Sequence, residues 1–296
     1  MATAVAPAET PDKPKKRKKD KEETGVRPRH WYVPYLLLGP GALFLIVFFI
    51  IPLFSIGKLS FQDEGLGNYS KVISDNGDVI IRTFVYAGIA TLACIIIGYP
   101  LAYFIAMRGG RYKNVLLAMV VLPFFVTYLV RTLAWKILLY DGGPVVGILQ
   151  NLGILSENDG LLGKPIAVIG ALAYNFLPFM VLPIYVSLEK LDVRLLEAAS
   201  DLYSSPARAF RKITLRLSMP GVFAGTLLTF IPAAGDFVNA ELLGSDRTIM
   251  IGNIVEKNFG KDFFRPELSA LSFLLMAIIL IGVIIYARAL GTEELA

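Results

Sequence analysis

The 296-residue sequence contains one cysteine and one histidine. A single thiol, Cys94, excludes an intrachain disulfide and any thiolate metal cluster, and its place in an apolar run reads as a small buried residue. His30 stands beside Trp31 at the edge of the first apolar window and reads as an interfacial polar residue, not a base. There is no H-E-x-x-H, no G-x-S-x-G and no His/Cys ligand cluster, so a metal site and a catalytic constellation are not expected. A phosphate loop of the form G-x-x-x-x-G-K-[ST] is also missing. Gly57-Lys58, Gly163-Lys164 and Gly260-Lys261 are followed by Leu, Pro and Asp, so the chain does not hydrolyse ATP by that route. Charge is scarce, at 18% of residues against about 25% in soluble domains. What is abundant is apolar, at 55%, with a mean hydropathy of +0.60. A polytopic, all-α membrane protein is the expectation.

Residues 1–30 lack aromatics and apolar periodicity and carry nine of the 29 Lys and Arg. They read as a disordered basic tail, more simply a topology signal that keeps the N-terminus in the cytoplasm than a segment leaning on anionic lipid. The rest, 31–296, reads as one membrane domain. A crossing needs about 20 apolar residues, and six such windows occur: Trp31–Gly57, Arg82–Arg108, Asn114–Arg131, Lys164–Glu189, Arg216–Asp236 and Glu267–Arg288. With the tail inside, "RGGRYK" (108–113) and the polar stretch 189–216 fall inside with the C-terminus. Loops 58–79, 138–164 and 241–266 fall outside. Pro40, Pro52, Pro100, Pro123, Pro178, Pro183 and Pro232 lie within the windows. Bent spans suit a transporter more than an anchor.

The stretch 189–216 reads as a helical hairpin. "VRLLEAA" places Leu195, Leu196 and Ala199 on one side. Pro206 disfavours a helical Ser205, so "YSSP" breaks the chain; Ser204 or Ser205 can cap the next helix, with Pro206 in its first turn. "ARAFRKI" then leads to Pro220, which can start the fifth span. Two short helices across the membrane face are expected, suited either to the lipid interface or to a groove in a partner.

"EAASDLYSSPARAFRKITLRLSMPG" resembles the cytoplasmic EAA loop of binding-protein-dependent ABC importer permeases. Glu197, Ala198 and Ala199 match its start, Asp201 and Leu202 its "DL", and Phe210, Ile213 and Leu215 its tail. Tyr203 replaces the motif's Gly and Arg216 its Pro. Tyr203 therefore either takes a positive φ, costing about 1 kcal/mol, or changes the turn, or packs its ring into the partner. The resemblance implies a type I importer permease of six transmembrane helices. Its coupling helix would dock on a separate ATPase through Leu195, Glu197, Ala198, Ala199, Asp201, Leu202, Tyr203, Ser205 and Phe210. Implied partners are two ATPase copies carrying ATP and Mg, a second permease, an extracytoplasmic binding protein and membrane lipid; no cofactor sits on this chain and no nucleic acid is involved. The implied location is the inner membrane of a bacterium.

"PFFVTYLVRTLAW" (123–135) and "GDFVNAELLGSDRTIMIGNIVEKNF" (235–259) resemble the first-permease subunits of spermidine/putrescine importers. On that footing Asp236 and Glu241 attract a polyamine, with Phe230, Phe237 and Tyr174 adding cation–π contacts. The alternative is that both acids are solvated helix ends or pair with Arg131 or Arg247. Arg131 pairs with Asp236 or meets the second permease, and Trp135 is an interfacial belt residue. Iron, sulfate, thiamine and sugars are rival cargoes. A membrane enzyme or assembly protein without an ATPase is the reading from another class.

Overall fold

The computed structural model describes residues 33–156, 159–259 and 265–290; the basic tail lies outside them. Every regular element among these residues is helical. The chain divides into two units at Leu53/Phe54. The first holds α1 (Val33–Leu45), a π turn (Ile46–Ile50) and the start of α2 (Ile51–Ser60). Leu36–Ser60 runs as one helix long and apolar enough to cross a membrane. Pro40 lies inside α1, and the π turn ends two residues before Pro52, which has no N–H to give back to the preceding turn.

In the second unit, α3 is a single 43-residue helix, Leu66–Arg108. This corrects the expected loop 58–79. Ser74, Asp75 and Asp78 of the polar run "SDNGD" are exposed on a helix whose Tyr69, Val72, Val79 and Ile80 pack on Ile251, Ala270 and Leu271. Asn68 ties the preceding turn down, its Nδ2 donating to Ser60 O (3.0 Å) and Gln62 O (2.8 Å). The third window is broken. α4 (Lys113–Val121) ends in a 3₁₀ turn, Leu122–Phe125. Val126 and Thr127 are extended, and α5 (Tyr128–Leu139) leaves at 92° to the preceding segment. Pro123 sits in that turn, where a helical bond is lost. Loop 138–164 contains α6 (Pro144–Asn151).

α7 (Pro165–Glu189) matches the fourth window. α8 (Arg194–Asp201) and α9 (Pro206–Ala209) form the hairpin. α9 does not stop before the membrane: through a π turn, Phe210–Thr214, it continues into α10 (Leu215–Ala234), giving one helix Pro206–Ala234. Pro220 lies inside that helix and does not begin it. α11 (Val238–Leu243) and α12 (Ile251–Phe259) occupy part of the expected loop 241–266, and α13 (Pro266–Leu290) follows. Five helices are long and apolar enough to cross a membrane; the bent pair makes a sixth if taken as one span.

The core is a seam of small residues. Ala87, Ala90, Cys94, Gly98 and Ala102 of α3 recur every three or four positions and face Ala173, Met180 and Val181 of α7. α10 packs on α7 as well, presenting Gly221 and Gly225. A Cβ at Gly221 would stand 2.5 Å from Pro183 O and Ser187 Oγ. Between helices that gain nothing from hydrophobic exclusion in lipid, such close backbone approach is what holds the bundle together. Cys94 is fully buried in this seam, its Sγ donating to Ala173 O at 3.2 Å.

Candidate functional site

The hairpin begins where Asp192 Oδ1 accepts from Arg194 N (3.0 Å), satisfying one free donor at the start of α8. At the other end, Ser204 N donates to Ala199 O and Tyr203 N to Ser200 O, both at 2.9 Å. This is a Schellman close, and its left-handed position, normally glycine, is Tyr203 at φ 54°. The tyrosine thus keeps the glycine's backbone and bears the strain, one of the expected alternatives. Ser205 is extended (ψ 148°) as Pro206 requires, but its hydroxyl makes no capping bond.

Leu196 and Ala199 face inward, whereas Leu195 points out, a correction to its expected side. Leu195, Ala198 and Leu202, spaced i, i+3 and i+7, form an exposed stripe flanked by the exposed Glu197 and Asp201. Leu202 and Tyr203 are 81% and 97% exposed. Phe210 behaves differently from the rest of the expected docking set. It is half-buried, edge-on to Tyr99 (5.9 Å) and Tyr103 (5.5 Å) of α3, and Tyr99 Oη is 2.8 Å from Ser218 Oγ. Behind the stripe a groove of about 230 Å³ is lined by Tyr103, Leu196, Ser200, Ser204 and Phe210.

The second candidate is a buried polar cluster at the break between α4 and α5. Asp236, 8% exposed, accepts from the Tyr128 phenol on Oδ2 and from Asn239 N on Oδ1 (2.9 Å). Asn239 Nδ2 donates to Tyr128 Oη (2.5 Å), and Asn239 Oδ1 accepts from Thr132 Oγ1 and Asn175 Nδ2, both at 3.1 Å. The cluster joins α5, α7 and α11. Among the described residues no cation pairs with Asp236; neutral donors alone hold its carboxylate. The solvated-end reading of Asp236 fails on burial, and its pairing with Arg131 or Arg247 fails on geometry. Arg131 is itself buried and lies over the rings of Phe124 and Tyr128. The Arg247 carbonyl accepts from Arg82 Nη1 (2.5 Å).

The other expected path residues are not brought to this cluster. Glu241 is exposed and engages Lys257 Nζ (3.3 Å) and Asn253 Nδ2 (3.2 Å). Phe237 lines a separate cleft of about 560 Å³ with Gly252, Val255, Glu256 and Leu275. Tyr174 packs edge-on against Trp135 at 5.6 Å, so Trp135 has a ring partner and is half-buried, and Phe230 pairs with Phe84. The aromatics around the Asp236 cluster are instead Phe124, Tyr128, Phe176 and Phe179. Sequence reasoning missed Tyr128, Thr132, Asn175 and Asn239. Asn175 did carry a signal: it is a lone amide midway along an apolar helix, where a polar side chain usually marks a path or a partner. Chemically the cluster offers a buried carboxyl group, amide and hydroxyl oxygens and π faces. No group of three His, Cys, Asp or Glu that would hold a metal occurs among the described residues.

Residues 98–291 match the family model described as binding-protein-dependent transport system inner membrane component. The chain is 36% identical over 256 residues to the spermidine/putrescine transport system permease protein PotB of Haemophilus influenzae, covering 83% of this chain and 90% of that protein. It is 37% identical over 225 residues to PotB of Escherichia coli, covering 76% and 82%. It is 33% identical over 283 residues to the inner membrane ABC transporter permease protein YdcU of Escherichia coli, covering 88% and 90%. A chain of a bacterial ABC transporter involved in import of the acidic polysaccharide alginate superposes with a TM-score of 0.73 over 87% of this chain and 94% of that one. At 16% identity that likeness speaks for the fold alone.

Proposed function

This chain belongs to the binding-protein-dependent transport system inner membrane components, and from that premise we propose that it is one permease of an ATP-driven polyamine importer. The observation that carries the substrate is the 36% identity to a spermidine/putrescine permease across 83% of the chain. Two ATPase copies, a second permease and an extracytoplasmic binding protein complete the assembly. The tail, the 189–216 hairpin and the C-terminus lie on the cytoplasmic side.

Work enters at the hairpin. The Leu195–Ala198–Leu202 stripe and the Tyr203 ring are the surface an ATPase groove takes up, burying apolar area that water now touches. Movement of α8 is passed on through α9, which is continuous with α10. Phe210, clasped by Tyr99 and Tyr103, carries it into α3. Because the α3–α7–α10 seam is tightly packed, these helices move as a block, and the pathway opens to the other side. Glu197 and Asp201 flank the docking stripe and set its charge register. On the substrate side, the uncompensated carboxylate of Asp236 and the rings beside it suit an ammonium group.

The test is uptake of labelled spermidine by vesicles carrying the whole assembly. Wild type is expected to accumulate spermidine only with ATP on the ATPase side. Glu197→Arg is expected to insert normally yet lose at least about tenfold of its ATP-driven uptake, by placing like charge or a clash at the docking face. ATP-independent accumulation, or full activity of the variant, contradicts the reading.

A further inference from the structure

Arg131 is the one buried basic side chain among the described residues, at 6% exposed. Its Nε has no hydrogen-bond partner, and no carboxylate among the described residues forms an ion pair with it. Its guanidinium lies 5.1 Å from the Phe124 ring centre and 5.6 Å from that of Tyr128. Those two rings are the ends of a series. Phe124 meets Phe179 at 5.1 Å, Phe179 meets Phe176 at 6.3 Å, and Phe176 meets Tyr128 at 6.1 Å. The guanidinium closes four aromatic rings into a circle. Tyr128 also bonds Asp236, and Asn175, fully buried in the same cluster, has its Oδ1 without a partner.

Depth decides what such a cation can be for. Asn175 is near the middle of the 25-residue α7, about 15 Å from one end and about 20 Å from the other at about 1.5 Å per residue. A lipid headgroup does not reach that level, so the guanidinium is not a phosphate anchor. Four π faces, a carboxylate held by neutral donors and a free amide oxygen are the partners an ammonium group needs. The chain's own cation now sits over two of those faces, at the end of a long flexible side chain.

We propose that Arg131 is a tethered occupant of an ammonium site formed by Phe124, Tyr128, Asn175 and Asp236, and that one primary ammonium of the substrate displaces it during transport. This rests on the polyamine reading and gives that substrate a seat. The resident cation keeps the site shaped between cycles, and it competes with the incoming ammonium. Its removal therefore tightens apparent binding, as when any competing state is removed.

The test is the concentration dependence of labelled spermidine uptake by the whole assembly in proteoliposomes. Arg131→Gln is expected to lower KM about fivefold or more, and Arg131→Lys, a weaker occupant of the rings, about twofold. Phe124→Leu is expected to raise KM about tenfold in the Arg131→Gln background and less in the wild-type background, where it also weakens the incumbent. An unchanged or raised KM in Arg131→Gln overturns the proposal. Should that variant not assemble, an unchanged or raised KM in Arg131→Lys overturns it equally. A wild-type assembly that takes up no spermidine removes the polyamine reading and this site with it, whereas active wild type with unmoved KM in the variants removes only the site.

Discussion

Replacing Asp236 by Asn separates what the carboxylate does as a charge from what it does as a clasp. Oδ1 now receives Asn239 N and Oδ2 receives the Tyr128 phenol. An asparagine has one acceptor oxygen, so one of these two donors loses its acceptor. A buried donor left unpaired costs about 1–3 kcal/mol, which sets the expected loss of stability. Tyr128→Phe breaks the same phenol bond, and the bond from Asn239 Nδ2 as well, so it is expected to destabilise at least as much. It keeps the ring and the Asp236 carboxyl group. If the carboxylate meets an ammonium, its loss weakens that contact by about 2 kcal/mol, or roughly thirtyfold. Spermidine uptake is therefore expected to fall about thirtyfold in Asp236→Asn and less than about threefold in Tyr128→Phe. Both should melt lower when the purified assembly is heated in detergent. Equal losses of uptake in the two variants, in step with their melting, would refute the reasoning and reduce Asp236 to a structural clasp.

Gly221→Ala should lower the unfolding midpoint by an amount equal to about 1–3 kcal/mol, because a Cβ there meets Pro183 O, which is backbone and cannot rotate away. Gly282→Ala, with nothing within 4 Å of its Cβ, should be neutral or slightly stabilising, and similar shifts for the two would contradict the steric reasoning. Tyr203→Gly should relieve about 1 kcal/mol of left-handed strain, seen as slower amide exchange at Ser204, whose N–H closes the hairpin. The same change should weaken ATPase binding by removing an exposed ring; tighter binding would show that the ring does not dock.

Much of the framework was legible because apolar windows end at charges. α7 runs Pro165–Glu189, as its flanking Lys164 and Glu189 foretold. The break at Ser205-Pro206 follows from proline sterics alone. The N-terminal third of α3 was hidden because Ser74, Asp75, Asn76, Gly77 and Asp78 read as a loop, although their helical neighbours Val72 and Val79 face the core. The fusion of α9 with α10 was hidden because a π turn, which shifts the helical phase, has no composition signal. The buried cluster draws Tyr128, Thr132, Asn175, Asp236 and Asn239 from three separate stretches, and no local spacing links them. Asp236 and Arg131 looked like a natural pair by charge. Both contact Tyr128 instead, one at its hydroxyl and one at its ring face.

The most direct measurement of the central claim is the sidedness of the hairpin. Cys94 is fully buried, so a thiol introduced as Leu202→Cys reports almost alone when a membrane-impermeant maleimide is applied to vesicles of known orientation. Labelling is expected in inside-out vesicles and not in right-side-out ones, with protection when the ATPase is bound. Labelling from the outer face, or labelling indifferent to the ATPase, would contradict a chain driven through its inner hairpin.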